Sequence, residues 1–320
     1  MVNSYRDTMQ WQKKGLLFQP KNHYDWMISY AQIPIAEELE ENKLRLYFGT
    51  RDSHNRTSTT FIEVETANPK NVLYVHDRPV LSPGKLGCFD DSGAMPSWIV
   101  NYEEKKYLYY IGWNIGVTVP YRNSIGIAVS EDGGFSFNRL YEGPIMDRTP
   151  LEPYLCATPC ILIENGLWRM WYLSGVAWKI HSEGPEPYYN IKYAESNDGI
   201  NWKREGRVCI DFKTSNEGGI ARPSVLKDGK IYRMWYSYRA GSNYRTNSSD
   251  SYRIGYAESL DGLVWNRKDD QVGIDVSKLG WDSQMIGYPF VININDRKHM
   301  FYNGNGFGKS GVGYAVYDVS

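Results

Sequence analysis

Residues 221–239, Ala-Arg-Pro-Ser-Val-Leu-Lys-Asp-Gly-Lys-Ile-Tyr-Arg-Met-Trp-Tyr-Ser-Tyr-Arg, decide the fold. They read as a strand that starts at a proline, a tight turn at Asp228-Gly229, and a second strand rich in aromatic residues. Asp-Gly between two apolar runs is a strong hairpin signal, because both residue types tolerate positive φ. The same plan recurs along the chain. Met95-Pro96-Ser97-Trp98 leads to Tyr107-Leu108-Tyr109-Tyr110, and Thr158-Pro159-Cys160-Ile161 leads to Trp168-Arg169-Met170-Trp171-Tyr172. Tyr288-Pro289-Phe290-Val291 leads to His299-Met300-Phe301-Tyr302, and, most weakly, Ile33-Pro34-Ile35 leads to Leu44-Arg45-Leu46-Tyr47-Phe48. The prolines at 34, 96, 159, 223 and 289 are 62, 63, 64 and 66 residues apart. A near-constant period marks a repeat architecture.

Each repeat has a second half. Ile127-Ala128-Val129-Ser130-Glu131-Asp132-Gly133 precedes Phe135 and Phe137, Tyr193-Ala194-Glu195-Ser196-Asn197-Asp198-Gly199 precedes Trp202, and Tyr256-Ala257-Glu258-Ser259-Leu260-Asp261-Gly262 precedes Trp265. Each reads as a third strand, a Ser-x-Asp-Gly turn and a fourth strand anchored by an aromatic. The turns read as structural, with aspartate accepting turn amides and glycine supplying positive φ. Four short antiparallel strands make a propeller blade, and five such units use nearly the whole chain. The expected fold is therefore an all-β, five-bladed β-propeller forming a single domain over residues 1–320. The last unit stops after its third strand, Gly313-Tyr314-Ala315-Val316-Tyr317. Met9-Gln10-Trp11-Gln12-Lys13-Lys14-Gly15 resembles the fourth strand around Trp265, so the last blade is expected to be closed by the N- and C-terminal strands. Such closure removes an exposed sheet edge. Helix is expected only as a turn or two between Pro34 and Asn42.

The 26 tyrosines and 11 tryptophans suit both strands and carbohydrate-binding surfaces. A net charge of −1 gives no sign of nucleic acid or an anionic membrane as partner. No run of eighteen apolar residues suggests a membrane span, and Met1–Asp7 has no apolar signal region, which points to a cytoplasmic protein. The four cysteines (Cys88, Cys156, Cys160, Cys209) lack metal-ligand spacing and read as free thiols. No phosphate-cradling loop, nucleophile elbow or HExxH pattern is present. Neither metal nor cofactor is expected.

In a propeller, the loops that lead into the innermost strands line one mouth. Each of those loops carries acid: Asp25, Asp90 and Asp91, Glu152, Glu217, and Asp282. Grouped carboxylates shift one another's pKa and can supply an acid and a base. Arg222, Arg239 and Arg51 are candidates to grip an anionic substituent, since a guanidinium forms two parallel hydrogen bonds to carboxylate or phosphate. Trp113, Tyr288, Trp178, Tyr154 and Trp26 are candidates to stack on sugar rings. His181 lies on the longest insertion, Trp178–Tyr189, and is placed to overhang the pocket.

With Ala221-Arg222-Pro223-Ser224-Val225-Leu226, Tyr232-Arg233-Met234-Trp235-Tyr236, Tyr256-Ala257-Glu258-Ser259, Asp261-Gly262 and Trp265, the chain resembles the five-bladed propeller glycosidases of glycoside hydrolase families 43, 32, 68 and 130. The resemblance implies glycosyl hydrolysis or transfer by inward-facing acids from different blades. Family 43 places its base just before the blade-one proline, where this chain has Gln32 and Ile33, and its acid shortly before a later proline, where Ala221-Arg222-Pro223 has none. The nearest candidates are Asp25 or Asp91 as base or nucleophile and Glu152 or Glu217 as acid. Asp90, Asp282, Arg51, Trp113, Arg222, Arg239, Tyr288 and His181 would bind a small carbohydrate or activated sugar. Phe89–Pro96 and Pro120–Gly126 also resemble glycosidase-like proteins associated with bacterial surface polysaccharides. Two alternatives stay open: an inactive carbohydrate-binding propeller, and a biosynthetic enzyme that reuses the pocket.

Overall fold

A computed structural model describes residues 9–318, with twenty strands and one 3-10 turn among them. Strand β1 (Gln12–Phe18) comes first. Unit one is β2 (Ser29–Leu39), β3 (Lys43–Arg51), β4 (Thr57–Glu65) and β5 (Val72–Val75). Unit two is β6 (Gly93–Tyr102), β7 (Lys105–Ile115), β8 (Tyr121–Ser130) and β9 (Asn138–Arg139). Unit three is β10 (Cys156–Glu164), β11 (Leu167–His181), β12 (Gly184–Ser196) and β13 (Lys203–Ile210). Unit four is β14 (Glu217–Asp228), β15 (Ile231–Ala240), β16 (Arg253–Ser259) and β17 (Asn266–Arg267). Unit five is β18 (Gly287–Ile294), β19 (Arg297–Asn303) and β20 (Val312–Asp318), and β1 completes it by pairing antiparallel to β20, Gln12 opposite Val316 and Phe18 opposite Val312. Single parallel bridges, Thr57 to Gly93 and Tyr189 to Gly219, join units one to two and three to four. The first strands touch in cyclic order: β2 meets β6, β6 meets β10, β10 meets β14, β14 meets β18, and β18 meets β2.

The repeated proline marks a slip in each first strand. The ladder to the second strand breaks between Gln32 and Ile35, Pro96 and Trp98, Ala157 and Cys160, Ala221 and Ser224, and Gly287 and Phe290. Proline has no N–H to lose, so a bulge is where a strand tolerates it. In four units the residue before proline is left-handed: Ile33 (φ 52), Thr158 (φ 43), Arg222 (φ 55) and Tyr288 (φ 56). Each such non-glycine conformation costs about 1–3 kcal/mol. Other units accept the N–H groups freed by the slip: Ile33 donates to Asn303 Oδ1 (2.8 Å), Arg222 to Thr158 Oγ1 (3.1 Å) and Tyr288 to Ser237 Oγ (2.7 Å).

The second strands carry the aromatic core. Tyr47-Phe48, Tyr109-Tyr110, Trp171-Tyr172, Trp235-Tyr236 and Phe301-Tyr302 are all fully buried. The Ser-x-Asp-Gly turns dock onto the preceding unit: Tyr109 Oη donates to Gly199 O (2.7 Å) and Trp171 Nε1 to Gly262 O (2.8 Å). Their glycines take φ values of 71° to 73°, as a left-handed turn position requires.

Two local expectations are corrected. Residues 34–42 form no helix; Ile35 and Ala36 are buried in β2, and Glu37 reaches Lys106 of the next unit. Cross-unit packing overrides the helix-forming composition there. The hairpin of residues 221–239 turns one residue later than expected. Asp228 pairs with Ile231, so Gly229-Lys230 is the loop, and of these two only Gly229 takes positive φ. No helix among the described residues is long and apolar enough to cross a membrane.

Candidate functional site

None of the loop acids lines the cavity between the units. Three of them are bound inside their own units, by a tyrosine of the second strand and a base of the fourth. Asp90 is fully buried, accepting from Tyr110 Oη (3.1 Å) and Arg139 Nε (2.7 Å). Glu152, 2% exposed, accepts from Tyr172 Oη (2.8 and 2.9 Å) and Ser174 Oγ (2.7 Å), with Arg204 at 3.9 Å and Lys192 at 4.0 Å. Asp282, 2% exposed, accepts from Tyr302 Oη (3.0 Å) and from Lys13 of β1 (2.8 Å). Unit four builds the same clamp with Asp269, held by Tyr236 Oη (2.5 Å) and Arg267 (2.9 Å), and that arginine also grips Glu217 with two nitrogens (2.8 and 3.0 Å). Unit one has Phe48 in the tyrosine's place and no such clamp at that ring. Of the remaining acids, Asp91 accepts from Gly87 N and Ser92 Oγ, and Asp25 is exposed. The expected convergence of these carboxylates is therefore corrected. Hydroxyl and guanidinium donors offset the cost of burying a carboxylate, and each acid follows the donors of its own sheet.

A cavity of about 420 Å³ does lie where the five units meet, and every unit lines it. Unit one contributes Tyr30, Gln32, Ile33 and Arg51. Unit two contributes Met95, Ile111, Trp113, Tyr121 and Asn123. Unit three adds Leu155, Ala157, Thr158, Leu173 and Tyr189. Unit four adds Ala221, Tyr244, Arg245 and Tyr252, and unit five Tyr288 and Phe307. No aspartate or glutamate is among the lining residues. Ile33, Thr158 and Tyr288 are three of the four left-handed residues of the bulges, so most of the strain of the first strands is stored at the cavity wall.

Of the residues expected to bind substrate, Arg51, Trp113 and Tyr288 line this cavity. The Arg51 guanidinium lies 4.6 Å from the Tyr30 ring centre and 5.9 Å from that of Trp113. Its Nε has no hydrogen-bond partner, and burial draws its pKa below the ordinary arginine value. Arg222 is corrected: it is fully buried and does not line the cavity. Arg239 is corrected likewise. It lies one layer back, 2% exposed, donating to Tyr189 Oη (3.0 Å) and to the carbonyls of Ala240 and Pro187 (2.7 Å each). His181 sits at the tip of the β11–β12 hairpin, bonded to Tyr188 Oη (3.1 Å), so the insertion is a long extension of two strands and this histidine does not line the cavity. Asp90 and Asp282 are held in the clamps.

Sequence reasoning missed Tyr30, Tyr121, Tyr189, Tyr244, Arg245 and Tyr252. Tyr189 and Tyr252 share a short hydrogen bond between their hydroxyls. Arg245 pairs with Glu186 (3.2 Å), and Tyr244 donates to the same carboxylate. Burial raises the pKa values of Tyr121, Tyr252 and Tyr288, which keeps their hydroxyls as donors. The available signals were coarse: Tyr244-Arg245 fall in a polar insertion at residues 241–251, Tyr189 ends the long insertion, and Tyr121 lies in the stretch Pro120–Gly126. The cavity thus offers aromatic faces, phenolic donors and two guanidinium groups. Among the described residues no group of three His, Cys, Asp or Glu is placed to hold a metal ion.

No family model matches the chain. Two uncharacterised proteins of Mycobacterium tuberculosis, MT1551 of strain CDC 1551 / Oshkosh and Rv1502 of strain ATCC 25618 / H37Rv, are each 38% identical over 311 residues, 97% of this chain and 100% of theirs. Among solved structures, BT0996 in its complex with RGII is similar with a TM-score of 0.74 at 17% identity, over 98% of this chain and 92% of that one. A glycosyl hydrolase from Bacteroides ovatus gives 0.72 at 14% identity, over 97% and 94%. A thermostable family-43 glycoside hydrolase gives 0.65 at 18% identity, over 92% and 90%.

Proposed function

We propose that this chain, which belongs to one family with the two Mycobacterium tuberculosis proteins and carries the fold of the propeller glycosidases, binds a sugar bearing an anionic group in its central cavity. The observation that carries the reading is Arg51. It is a cavity-lining cation that makes no ion pair among the described residues and has an unbonded Nε, and it sits between aromatic rings. Carboxylate or phosphate supplies the missing acceptors. Trp113 and Tyr288 offer faces to the sugar ring. The fold behind this site is, in our reading, a single five-bladed propeller. Five four-stranded units, the cyclic contact of their first strands and the β1–β20 pairing support that count.

Calorimetry with glucuronate, glucose 1-phosphate, UDP-glucose and glucose tests the proposal. At least one anionic sugar should bind more tightly than glucose, and Arg51→Met should weaken it about 10–100-fold, the value of a charge-assisted contact. Equal binding of neutral and anionic sugars, or binding unaffected by R51M, would overturn it.

The fold favours a second reading, glycosyl hydrolysis or transfer. Two-carboxylate chemistry needs acids on both sides of the glycosidic bond. Asp25, Asp91, Glu152 and Glu217 are its sequence-derived candidates, and Glu186 stands directly behind Tyr244 and Arg245. Turnover of aryl glycosides that is abolished by Glu186→Gln, or by Glu152→Gln at unchanged stability, would favour it over simple binding.

A further inference from the structure

All five units meet around Arg222, four at its side chain and unit three at its backbone N–H. It belongs to β14 of unit four, and its Nη2 donates to Pro34 O of unit one at 3.0 Å. Trp98 of unit two and Phe290 of unit five face its guanidinium, with ring centres 5.6 and 5.7 Å away. Its backbone N–H goes to Thr158 of unit three. The residue is 0% exposed. Nε and Nη1 are buried and have no hydrogen-bond partner within the protein. Burial lowers its pKa to about 10, and the Cys160 thiol is the one ionisable group that acts against this, so the group stays charged at neutral pH. Aromatic faces attract a cation but are weak acceptors for N–H groups. A buried charge without counter-charge or hydrogen bonds is strongly unfavourable, and arginine does not escape by losing its proton.

We propose that a small inorganic anion, a halide of the size of chloride, binds at the centre of the molecule against Arg222. Complete burial excludes a sugar or any bulky ligand. Thr158, which accepts from the Arg222 N–H, and Ala221, next to Arg222 in sequence, line the central cavity, whereas Arg222 does not. The anion stabilises the hub where the five first strands meet, and the inference is independent of the sugar-binding reading.

The test is thermal unfolding of the full chain in sodium methanesulfonate against sodium chloride and sodium bromide at matched ionic strength. A ligand that binds only the folded state raises Tm with the logarithm of its concentration, by about 4 °C at a hundredfold excess over Kd for a chain of this size. Chloride and bromide should both do so, and Arg222→Met should abolish the difference between salts. A crystal grown in bromide should show an anomalous peak within hydrogen-bond distance of Nε or Nη1, a measurement that holds even if the variant fails to fold. Identical melting in all three salts, a halide effect that persists in R222M, or ordered water alone beside Arg222 would overturn the proposal.

Discussion

Glu152→Gln separates a structural acid from a catalytic one. The native carboxylate is 2% exposed, takes hydrogen bonds from Tyr172 and Ser174, and has Arg204 and Lys192 within 4.0 Å. Glutamine keeps the volume and removes the charge. Two charge-assisted hydrogen bonds become neutral ones, the amide turns a donor toward hydroxyl donors, and two nearby cations lose their counter-charge. We expect a loss of about 2–4 kcal/mol, or about 3–6 °C in Tm for a chain of this length. Tyr172→Phe should cost about 1–2 kcal/mol. A double-mutant cycle between the two should return a coupling of about 1–2 kcal/mol, because both changes act on one bond network. Asp25→Asn, at an exposed acid, should stay within about 0.5 kcal/mol. The assay is urea unfolding followed by tryptophan fluorescence, with calorimetric binding of the anionic sugar as a parallel readout. E152Q melting within about 1 °C of the native protein while losing ligand binding would refute the clamp and return Glu152 to the site.

Lys13→Met should destabilise by about 1–3 kcal/mol in urea, since Lys13 is the base that β1 supplies to the buried Asp282; an unchanged midpoint would mean that the closing strand carries no clamp. A thiol reagent should label Cys88 quickly in the native protein and leave Cys156, Cys160 and Cys209 untouched until unfolding, because burial pushes those three thiols up to about 12; a second fast thiol would contradict this. The turn carboxyls have depressed pKa values. At Asp132 burial opposes ionisation, but hydrogen bonds from Ser136, Ser130 and turn amides outweigh it and hold the group at about 2, while the amides of Val264 and Leu263 lower Asp261. A depressed folded pKa gives stability that is present above the unfolded value near ~4 and is lost as pH falls through the folded one. Acid titration of native stability should therefore steepen between about pH 4 and pH 2, and Asp132→Asn should flatten that loss; identical acid limbs would refute the assignment.

The chain by itself determined what depends on local patterning. Proline spacing, hairpin turns and the Ser-x-Asp-Gly signature marked out the units, because a strand's period and a turn's φ values are set by residues a few positions apart. The likeness of the stretch around Trp11 to that around Trp265 even placed the closing strand beside β20. The tertiary structure decided where each polar group went. The acids at 90, 152 and 282 were visible, but not that tyrosines 110, 172 and 302, some twenty residues on, would take them into the walls. Nor does the chain announce that Tyr189, Tyr252 and Arg245 share a cavity with Arg51, or that Arg222 turns into the centre while its neighbour Ala221 faces the pocket. A carboxylate or guanidinium follows the lowest desolvation cost, and only the assembled sheets set that cost.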